Sequence, residues 1–464
     1  MNSINSNEQG VRAEDLMPSN VYNPMTDALT MNSTLVARRK VRFNPQSGTA
    51  SATAGNSLVW IIQDTASLLD PQSVRFSTTC TTTANTMDDG PAFIGQHITN
   101  VAGAECENTL RANRFCNAKT YAGASKSWYS SLASSFAGNW ALNPSLGVTT
   151  GAYATVANIL NFGDVSGCSV ASAQRYVAGQ TLSVPLSLVS DFWSQKTYLP
   201  LLVMGQIQVS LVLASNAEAI YAPTGSPTYT LTNSYLEYDL VAVNPSYANL
   251  LKSSAMSSEH AISIPFNACQ LSGNGIAVTT GTNSVVVSMA TNYLRRSILT
   301  LSPSNAVDSY TYPGVSCFPN AGVNSIQYVS GSYIQPQQPA DTQARLANLT
   351  QQAFGGGDPL HMDCNGVGDI NVWGQTTSLS GVGSPLAKQP WGDSCIHAHN
   401  YDAFQSGESQ DLDGISVAGM SGGQLTIQLG VAGANGLTSF KAFVHTERTR
   451  ILHIANGGIT VKGV

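Results

Sequence analysis

The sequence places apolar residues at every second position in many separate runs, and this period of two constrains the fold more than any other feature. Successive side chains of a β-strand point to opposite faces of the sheet, so the alternation predicts strands with one buried and one exposed face. Such runs include residues 182–188, 207–213, 236–242, 262–266, 425–429 and 440–444. Turn-forming residues lie between runs, as in Asp88-Asp89-Gly90-Pro91 and Asn456-Gly457-Gly458. Together they predict an all-β sandwich or barrel.

Three stretches have helical spacing instead. One follows Ser125 and carries Trp128, Leu132 and Phe136; a second spans residues 342–354, with Asp341 as the predicted cap and Gly355 at its end. The third begins at Asn244-Pro245, a capping residue followed by a proline at the first helical position. Because strand-like alternation stops before this helix and resumes after it, we interpret it as a linker between two β domains.

The predicted organisation therefore has four parts. Residues 1–36 form an N-terminal arm, 37–243 a first β domain, 244–258 the linker helix and 259–464 a second β domain. The two domains have a roughly similar order of predicted elements. Each contains a long Gly/Ser/Asn-rich stretch before its closing strands, at 137–178 and 355–410. Loops of this length are usually functional or interaction surfaces.

Charge is scarce in this chain. Only 10% of the residues are charged, 21 Lys and Arg against 27 Asp and Glu, where about 25% is typical of a soluble domain. The net charge of −6 argues against a protein that mainly neutralises phosphates, and the 42% hydrophobic content is enough to build a core. The longest apolar run, near Leu199–Met204, is far shorter than the roughly 20 residues that span a bilayer.

Two further features concern the cellular compartment. The start of the chain, Met1 to Gly10, lacks the pattern of a signal peptide, so we expect no export signal. The eight cysteines contain no Cys-x-x-Cys pair, which favours free buried thiols in a reducing compartment; one or two disulfides remain open.

Several motifs have the residue types of chemical sites. Gly419-Met420-Ser421-Gly422-Gly423 matches the pattern of a hydrolase nucleophile, but a strand follows it directly where a helix is required, so we interpret it as a loop. His397-Ala398-His399 places two imidazoles on one face of a strand. The nearby potential ligands are Asp393, Cys395, Asp402 and the His361-Met362-Asp363-Cys364 segment. No set of three or four converging ligands is evident, so we interpret the histidines as structural or surface residues, and ion binding by His397 and His399 stays open.

The main cluster of positive charge is Arg38, Arg39, Lys40 and Arg42. Four charges are too few to neutralise a genome, so a solvated strand edge or an inter-subunit ion-pair surface is favoured over a nucleic-acid site. Likewise Glu408, Asp411 and Asp413-Gly414 lack the calcium-loop pattern and predict an acidic turn. We therefore predict no catalytic, cofactor-binding or metal-binding residue, and no enzyme.

Local motifs add a resemblance to a known family. Residues 324–336 read as a strand, a glycine turn at Gly331 and a proline-bearing segment, followed by the helix at 342–354. In the first half, Phe192-Trp193 precedes Leu199-Pro200-Leu201 and the strand at 206–213. This order, in two tandem β halves joined by a short helix, is similar to the double jelly-roll major capsid proteins of tailless icosahedral dsDNA viruses, the adenovirus, virophage and Polinton-like lineage. The resemblance covers residues 37–464.

The resemblance implies two tandem eight-stranded jelly-roll β-barrels with long loop insertions. It further implies a virion capsid protein, assembled inside the host cell, that forms pseudo-hexameric homotrimers and tiles an icosahedral shell. Its partners would be copies of itself and minor capsid, cement and penton proteins, without sequence-specific binding of nucleic acid; whether a membrane lies beneath the shell is left open. The contrasting hypothesis is a carbohydrate-binding or adhesive β-sandwich protein of the fibre or lectin type.

Overall fold

A computed structural model describes most of the predicted β regions. The described residues are 35–46, 51–82, 91–123, 180–220, 225–257, 261–289, 291, 293–305, 307–310, 315, 318, 321–355, 395–402, 414–433 and 437–463. Three predictions lie wholly or largely outside these ranges: the arm, the helix after Ser125 and the two long Gly/Ser/Asn-rich stretches. The predicted acidic turn, apart from Gly414, lies outside them as well.

The described residues form eighteen strands, most of which follow the predicted alternation. Before the linker helix they are β1 (Leu35–Phe43), β2 (Ser51–Thr53), β3 (Ser57–Gln63), β4 (Ser67–Thr82), β5 (Ile94–Val101), β6 (Ala104–Leu110), β7 (Gln180–Pro185), β8 (Gln206–Leu213) and β9 (Tyr229–Val243). After it they are β10 (Ile262–Thr279), β11 (Gly281–Ser288), β12 (Leu294–Pro303), β13 (Val323–Ser330), β14 (Tyr333–Ala340), β15 (Ile396–Asn400), β16 (Gln424–Val431), β17 (Ser439–Ala455) and β18 (Gly458–Gly463).

Seven α-helices lie between these strands in the described ranges. They are α1 (Ala112–Gly123), α2 (Leu186–Val189), α3 (Leu201–Met204), α4 (Asn216–Ala219), α5 (Pro245–Met256), α6 (Gln343–Gly355) and α7 (Val417–Ser421). Two 3₁₀ turns accompany them, at Pro91–Phe93 and Phe192–Ser194. No helix in the described part of the chain is long and apolar enough to cross a membrane.

The strands form four antiparallel sheets, and the two halves of the chain repeat one topology. The first half has the sheets β1-β9-β4-β7 and β3-β8-β5-β6, with β2 added beside β9. The second half has β10-β17-β12-β15 and β11-β16-β13-β14, with β18 added beside β17. The first sheet of each half matches strand for strand, β1, β9, β4 and β7 with β10, β17, β12 and β15, and so does the second, β3, β8, β5 and β6 with β11, β16, β13 and β14. Two four-stranded sheets of this order make an eight-stranded jelly roll, so the predicted double jelly roll is confirmed.

The duplication includes one helix that the sequence pattern missed. In the first half β5 and β6 form a hairpin followed by α1, and in the second half β13 and β14 form a hairpin followed by α6. The residue spacing predicts no helix between Glu105 and Phe115 and places the first helix only after Ser125. Helix α1 gave no such signal because its described side chains, from Ala112 to Thr120, are buried apart from the half-buried Lys119, so they form no polar stripe of the kind that reveals a surface helix.

Other local expectations need correction. The alternation at 182–188 stops being a strand at Pro185, where α2 begins, because proline provides no N–H to continue a ladder. Helix α6 is capped by Thr342 and not by Asp341: the Thr342 hydroxyl accepts the Arg345 N–H at 3.4 Å, while Asp341 pairs with the Arg345 side chain at 2.9 Å. The proline-bearing segment after Gly331 is the edge strand β14, a position where proline is tolerated.

Helix α5 lies between the two sets of sheets, at the predicted linker. The Asn244 side chain accepts the Ser246 N–H at 2.9 Å, and Pro245 occupies the first turn, which needs no intrahelical N–H partner. Strand β1 begins at Leu35, two residues inside the segment assigned to the arm, and Leu35 pairs with Val243.

One apolar cluster connects the two jelly rolls. It fills the first roll with side chains such as Trp60 and Phe76 and continues through Phe192 into β10 of the second roll. There, the rings of Phe192 and Phe266 meet edge to face with centroids 5.1 Å apart. A separate cluster fills the second roll. The first roll therefore shares its core with the surface of the second.

We expect Phe266→Ala to destabilise the whole chain. Removing this fully buried ring should lower the free energy of unfolding by about 3–5 kcal/mol, measured by urea denaturation. Val286→Ala, at a position 45% exposed in the same half, should change it by less than about 0.5 kcal/mol and serves as the control. Equal effects of the two substitutions would contradict the shared core.

Candidate functional site

The most elaborate polar site is the contact between the two jelly rolls. Strand β6 and helix α1 of the first roll lie against β10, β12 and β17 of the second. We call this contact the junction and define it by the residues that bridge it, which are Glu107, Thr109, Arg111, Arg114, Asn117, Cys269, Thr300, Ser302, Asp308, Val315, His445 and Arg450.

The Glu107 carboxylate lies at the centre of the junction and is 1% exposed. Its Oε1 accepts the backbone N–H of Cys269 at 2.8 Å and that of Asp191 at 3.1 Å; Oε2 accepts the Phe192 N–H at 3.0 Å and the Ser190 hydroxyl. Its hydrogen-bond partners therefore lie on a turn of the first roll and on a strand of the second. One side chain fixes the turn at 190–192 and holds it against β10.

Glu107 and Thr109 also protect a strand edge. Strand β10 is the outermost strand of its sheet, and such an edge exposes unpaired backbone groups. At Cys269, Glu107 accepts the outward N–H, and the Thr109 hydroxyl donates to the outward carbonyl at 3.1 Å. Side chains of the first roll thus take the place that another strand would occupy.

The pKa of Glu107 is raised to about 7, because burial and the nearby Asp191 carboxylate raise it more than the hydrogen bonds from Ser190, Cys269 and Phe192 lower it. Asp191 is itself 4% exposed and bonds to the Lys119 ammonium on α1. Lys119 keeps a raised pKa despite burial because Asp191 and Glu447 face it. The Lys119 ammonium therefore interacts favourably with a carboxylate of each roll, Asp191 of the first and Glu447 of the second.

Helix α1 supplies two further bridges. The Arg114 guanidinium donates to Thr300 at 3.3 Å and to Ser302 at 2.8 Å, and it lies 4.1 Å from the centre of the Phe443 ring. The Asn117 amide donates to the Val315 carbonyl at 2.8 Å. These contacts attach the helix to the outer face of the sheet that contains β12 and β17.

The ends of the junction are closed by other groups. Arg111 forms a two-pronged pair with Asp308 at 2.5 and 2.8 Å, and His445 contacts the Leu110 carbonyl at 3.3 Å. Arg450 donates to the Cys106 carbonyl at 2.5 Å. With hydrogen bonds and ion pairs along its length, the junction holds the two rolls in one relative orientation.

The histidines singled out in the sequence lie inside the second roll. His397 and His399 are 3% and 8% exposed on β15, and burial lowers the pKa of each to about 4. The His399 ring stacks on Tyr328 with centroids 4.7 Å apart and contacts the Tyr333 hydroxyl at 3.1 Å. Asp402, the nearby potential ligand, forms a two-pronged pair with Arg295. His397 and His399 are therefore surrounded by packed side chains in the interior of the second roll.

No three of the described His, Cys, Asp and Glu side chains are grouped to hold a metal ion. Asp393 and the segment 361–364 lie outside the described residues. The cysteines that the structure describes, Cys80, Cys106, Cys116, Cys269 and Cys395, are buried.

The serine motif is a helix and not the expected loop. Residues Val417–Ser421 form α7, in which the Gly419 N–H bonds to the Ser416 hydroxyl, and Gly422 ends the helix in the left-handed region at a φ of 63°. A hydrolase nucleophile lies on a turn from strand to helix, whereas this turn runs from helix to strand β16.

The basic cluster lies on β1, at the edge of the first-roll sheet. Arg38 pairs with Asp239 at 2.8 Å and Asp70 at 2.5 Å, Arg39 pairs with Asp64, and the Arg42 guanidinium stacks on Tyr235 at 3.5 Å. Ion pairs with acidic neighbours reduce the charge available to a phosphate backbone.

Two jelly rolls of equal strand order, fixed by one junction, define the double jelly-roll fold. Chains with this fold include one from the cryo-EM structure of the Sputnik virophage, with 12% identity, a TM-score of 0.57 and coverage of 93% of this chain and 89% of that one. PBCV-1 VP54 gives 10% identity, a TM-score of 0.53 and coverage of 92% and 97%. The Faustovirus major capsid protein gives 8%, 0.53 and 90% of both chains.

These similarities extend over nearly the whole of both chains, so the predicted resemblance is confirmed at the level of the fold. At such low identity the likeness is one of fold alone. No model of a known protein family matches the sequence, and no curated protein matches it by sequence.

The junction residues were missed from the sequence, although a repeat marks some of them. Helix α1 contains Arg114-Phe115-Cys116-Asn117, and α6 contains Arg345-Leu346-Ala347-Asn348 at the same distance from the helix start. The two four-residue segments share only the arginine and the asparagine. Without knowledge of where the helices begin, this similarity is too weak to indicate a repeat. Glu107 carried no signal, since a glutamate in an alternating strand usually faces water.

We expect Glu107→Ala to lower the free energy of unfolding by about 3–5 kcal/mol, because it leaves three buried N–H groups without their acceptor. Glu105→Ala removes an exposed carboxylate two residues away on the same strand and should cost less than about 1 kcal/mol. Urea denaturation of both variants checks this. A small effect at Glu107 would show that the carboxylate is not needed to hold the rolls together.

The raised pKa of Glu107 predicts a specific pH dependence. The folded state binds the proton more tightly than the unfolded state, in which a glutamate titrates near 4.3, so the contribution of Glu107 to stability falls as the pH rises from about 4.3 to about 7. The wild type should therefore lose stability relative to Glu107→Gln across this window and run parallel to it above pH 8. Urea denaturation at several pH values provides the measurement, and a difference that grows in favour of the wild type would have the wrong sign.

Proposed function

We propose that this chain is a major capsid protein, a structural subunit that forms homotrimers with a pseudo-hexagonal outline and tiles an icosahedral viral shell. The role is structural and needs no catalytic residue. The observation that carries the proposal is the pair of jelly rolls fixed at a buried junction. Three such rigid pairs supply six similar blocks, which is the number that a pseudo-hexameric unit requires.

Similar proteins support the same role. The double jelly roll is shared along about nine-tenths of its length with the Faustovirus major capsid protein, and a chain of the PBCV-1 virus capsid aligns with a TM-score of 0.54. On this proposal the protein resides in the virion capsid, after assembly inside the host cell. Its partners are other copies of itself and minor capsid, cement and penton proteins, with no sequence-specific contact to nucleic acid.

The carbohydrate-binding alternative finds no support in the described residues. Sugar sites are commonly lined by accessible aromatic rings, whereas the main aromatic cluster of the second roll, around Tyr328 and Tyr401, is buried. The rings of Tyr328 and Tyr401 are therefore not accessible to a sugar.

Purified full-length protein tests the proposal. We expect light scattering to give the mass of a trimer, and negative-stain images to show particles with hexagonal outlines. Glycan-array binding serves as the comparison for the alternative function. A protein that stays monomeric at all concentrations and retains glycans would overturn the proposal.

A further inference from the structure

Two neighbouring arginines of the second roll have few partners for their charge. Arg448 and Arg450 are two residues apart on β17, so their side chains lie on the same face of the sheet, with Cα atoms about 7 Å apart. On the adjacent strand β10 they stand opposite Ala268 and Phe266. Both arginines are half-buried. We call Arg448 and Arg450 the arginine pair.

The arginine pair engages few of its hydrogen-bond donors within the described part of the chain. Arg450 donates from Nη1 to the Cys106 carbonyl of β6 at 2.5 Å. The Arg448 side chain donates to no described residue and forms no ion pair with a described carboxylate, and the Nε atoms of both arginines are buried without an acceptor among these residues. Each guanidinium carries five N–H donors, and buried donors are nearly always bonded. The pair therefore requires further acceptors.

The electrostatic surroundings of the pair are also unusual for this protein. Burial lowers the pKa of both members, and the charge of Arg450 lowers the pKa of Arg448 further. Arg296 on the neighbouring strand β12 has a raised pKa instead, because its ion pair with Glu447 outweighs the effect of burial. The positive charge of the arginine pair thus lacks the direct compensation that Arg296 receives.

Two glutamates of β6 lie near the pair without neutralising it. Both raise the pKa of the two arginines, but neither forms an ion pair with them in the described structure. The Glu107 oxygens already accept hydrogen bonds from the turn at 190–192 and from Cys269. Glu105 is exposed, and its Oε2 accepts the Asn108 amide at 3.1 Å. An ion from solvent can therefore reach the half-buried pair on the side of Glu105.

We propose that the arginine pair binds a single phosphate group, supplied by inorganic phosphate or by a phosphomonoester such as a nucleotide. A phosphate group offers about three acceptor oxygens and roughly two negative charges, which suits two guanidinium forks. One carboxylate offers two oxygens and one charge, enough for a single fork. Because Arg450 also bonds to the first roll, the bound phosphate stabilises the junction from its margin. The inference concerns each chain by itself and does not depend on the proposed function.

Isothermal titration calorimetry of the full-length protein at constant ionic strength tests the site. Inorganic phosphate should bind the wild type, and Arg448→Gln should weaken binding at least about tenfold. Arg42→Gln removes an exposed arginine of β1 and should leave binding unchanged. Titration with adenosine monophosphate distinguishes the sources: binding of inorganic phosphate alone identifies the free ion, and tighter binding of the nucleotide identifies a phosphomonoester. Binding of neither overturns the proposal.

The neighbouring Glu105 provides a second variant with the opposite expected effect. Glu105→Gln removes a negative charge that opposes an incoming anion, so phosphate should bind about twofold more tightly or better. This variant keeps the arginine pair intact and decides the matter if Arg448→Gln does not fold. Unchanged or weaker binding by Glu105→Gln would contradict a site beside this residue.

Thermal unfolding separates phosphate binding from a structural role of Arg448. Without phosphate, Arg448→Gln should unfold at the wild-type temperature or above it, because the substitution removes a like charge beside Arg450. Millimolar phosphate should raise the wild-type Tm by at least about 2 °C over sodium chloride of equal ionic strength and leave the variant unchanged. A variant that is less stable without phosphate, or equal shifts in both proteins, would overturn the proposal.

Discussion

The outer edge of strand β10, which has no neighbouring strand among the strands described for its sheet, is the constraint on which the rest of the structure depends. A sheet edge of eighteen residues would pair with other chains unless something covered it. Here the cover is the first roll, whose Glu107 and Thr109 bond to the backbone of Cys269. Because the Glu107 carboxylate is buried at this point, it needs hydrogen-bond donors around it. The turn at 190–192 supplies them, and the Lys119–Asp191 pair lies beside this turn. The relative orientation of the two rolls therefore follows from the hydrogen bonds that the first roll makes to the edge strand β10.

The scarcity of charge has a structural counterpart. With charged residues forming 10% of the chain, the junction and its margin nevertheless hold Glu107, Arg111, Arg114, Lys119, Asp191, Arg296, Asp308, Glu447 and Arg450. Ions thus help to join the two parts of the chain where they meet. The exposed strand β14 carries glutamine at three positions, and a neutral amide costs less to desolvate than an ion.

The sequence predicted the parts of the fold that depend on local periodicity. Alternation located strands such as β8, β9 and β16, and Asn244-Pro245 located α5, because these signals lie within a few residues of one another. Helix α1 and the junction could not be predicted in this way. The burial of α1 and the role of Glu107 depend on strands more than 150 residues away, and a single side chain gives no local sign of such a partner.

Helix α5 has a consequence for how concentration acts on this protein. As a tether of twelve residues it keeps the two rolls of a chain at an effective mutual concentration on the order of millimolar, whatever the amount of protein in solution. The junction therefore closes inside every chain at any dilution. Encounters between separate chains follow the law of mass action, so the supply of newly made chains governs only that second step. Closure of the junction therefore depends on the tether within each chain, whereas growth of a larger particle depends on the protein concentration.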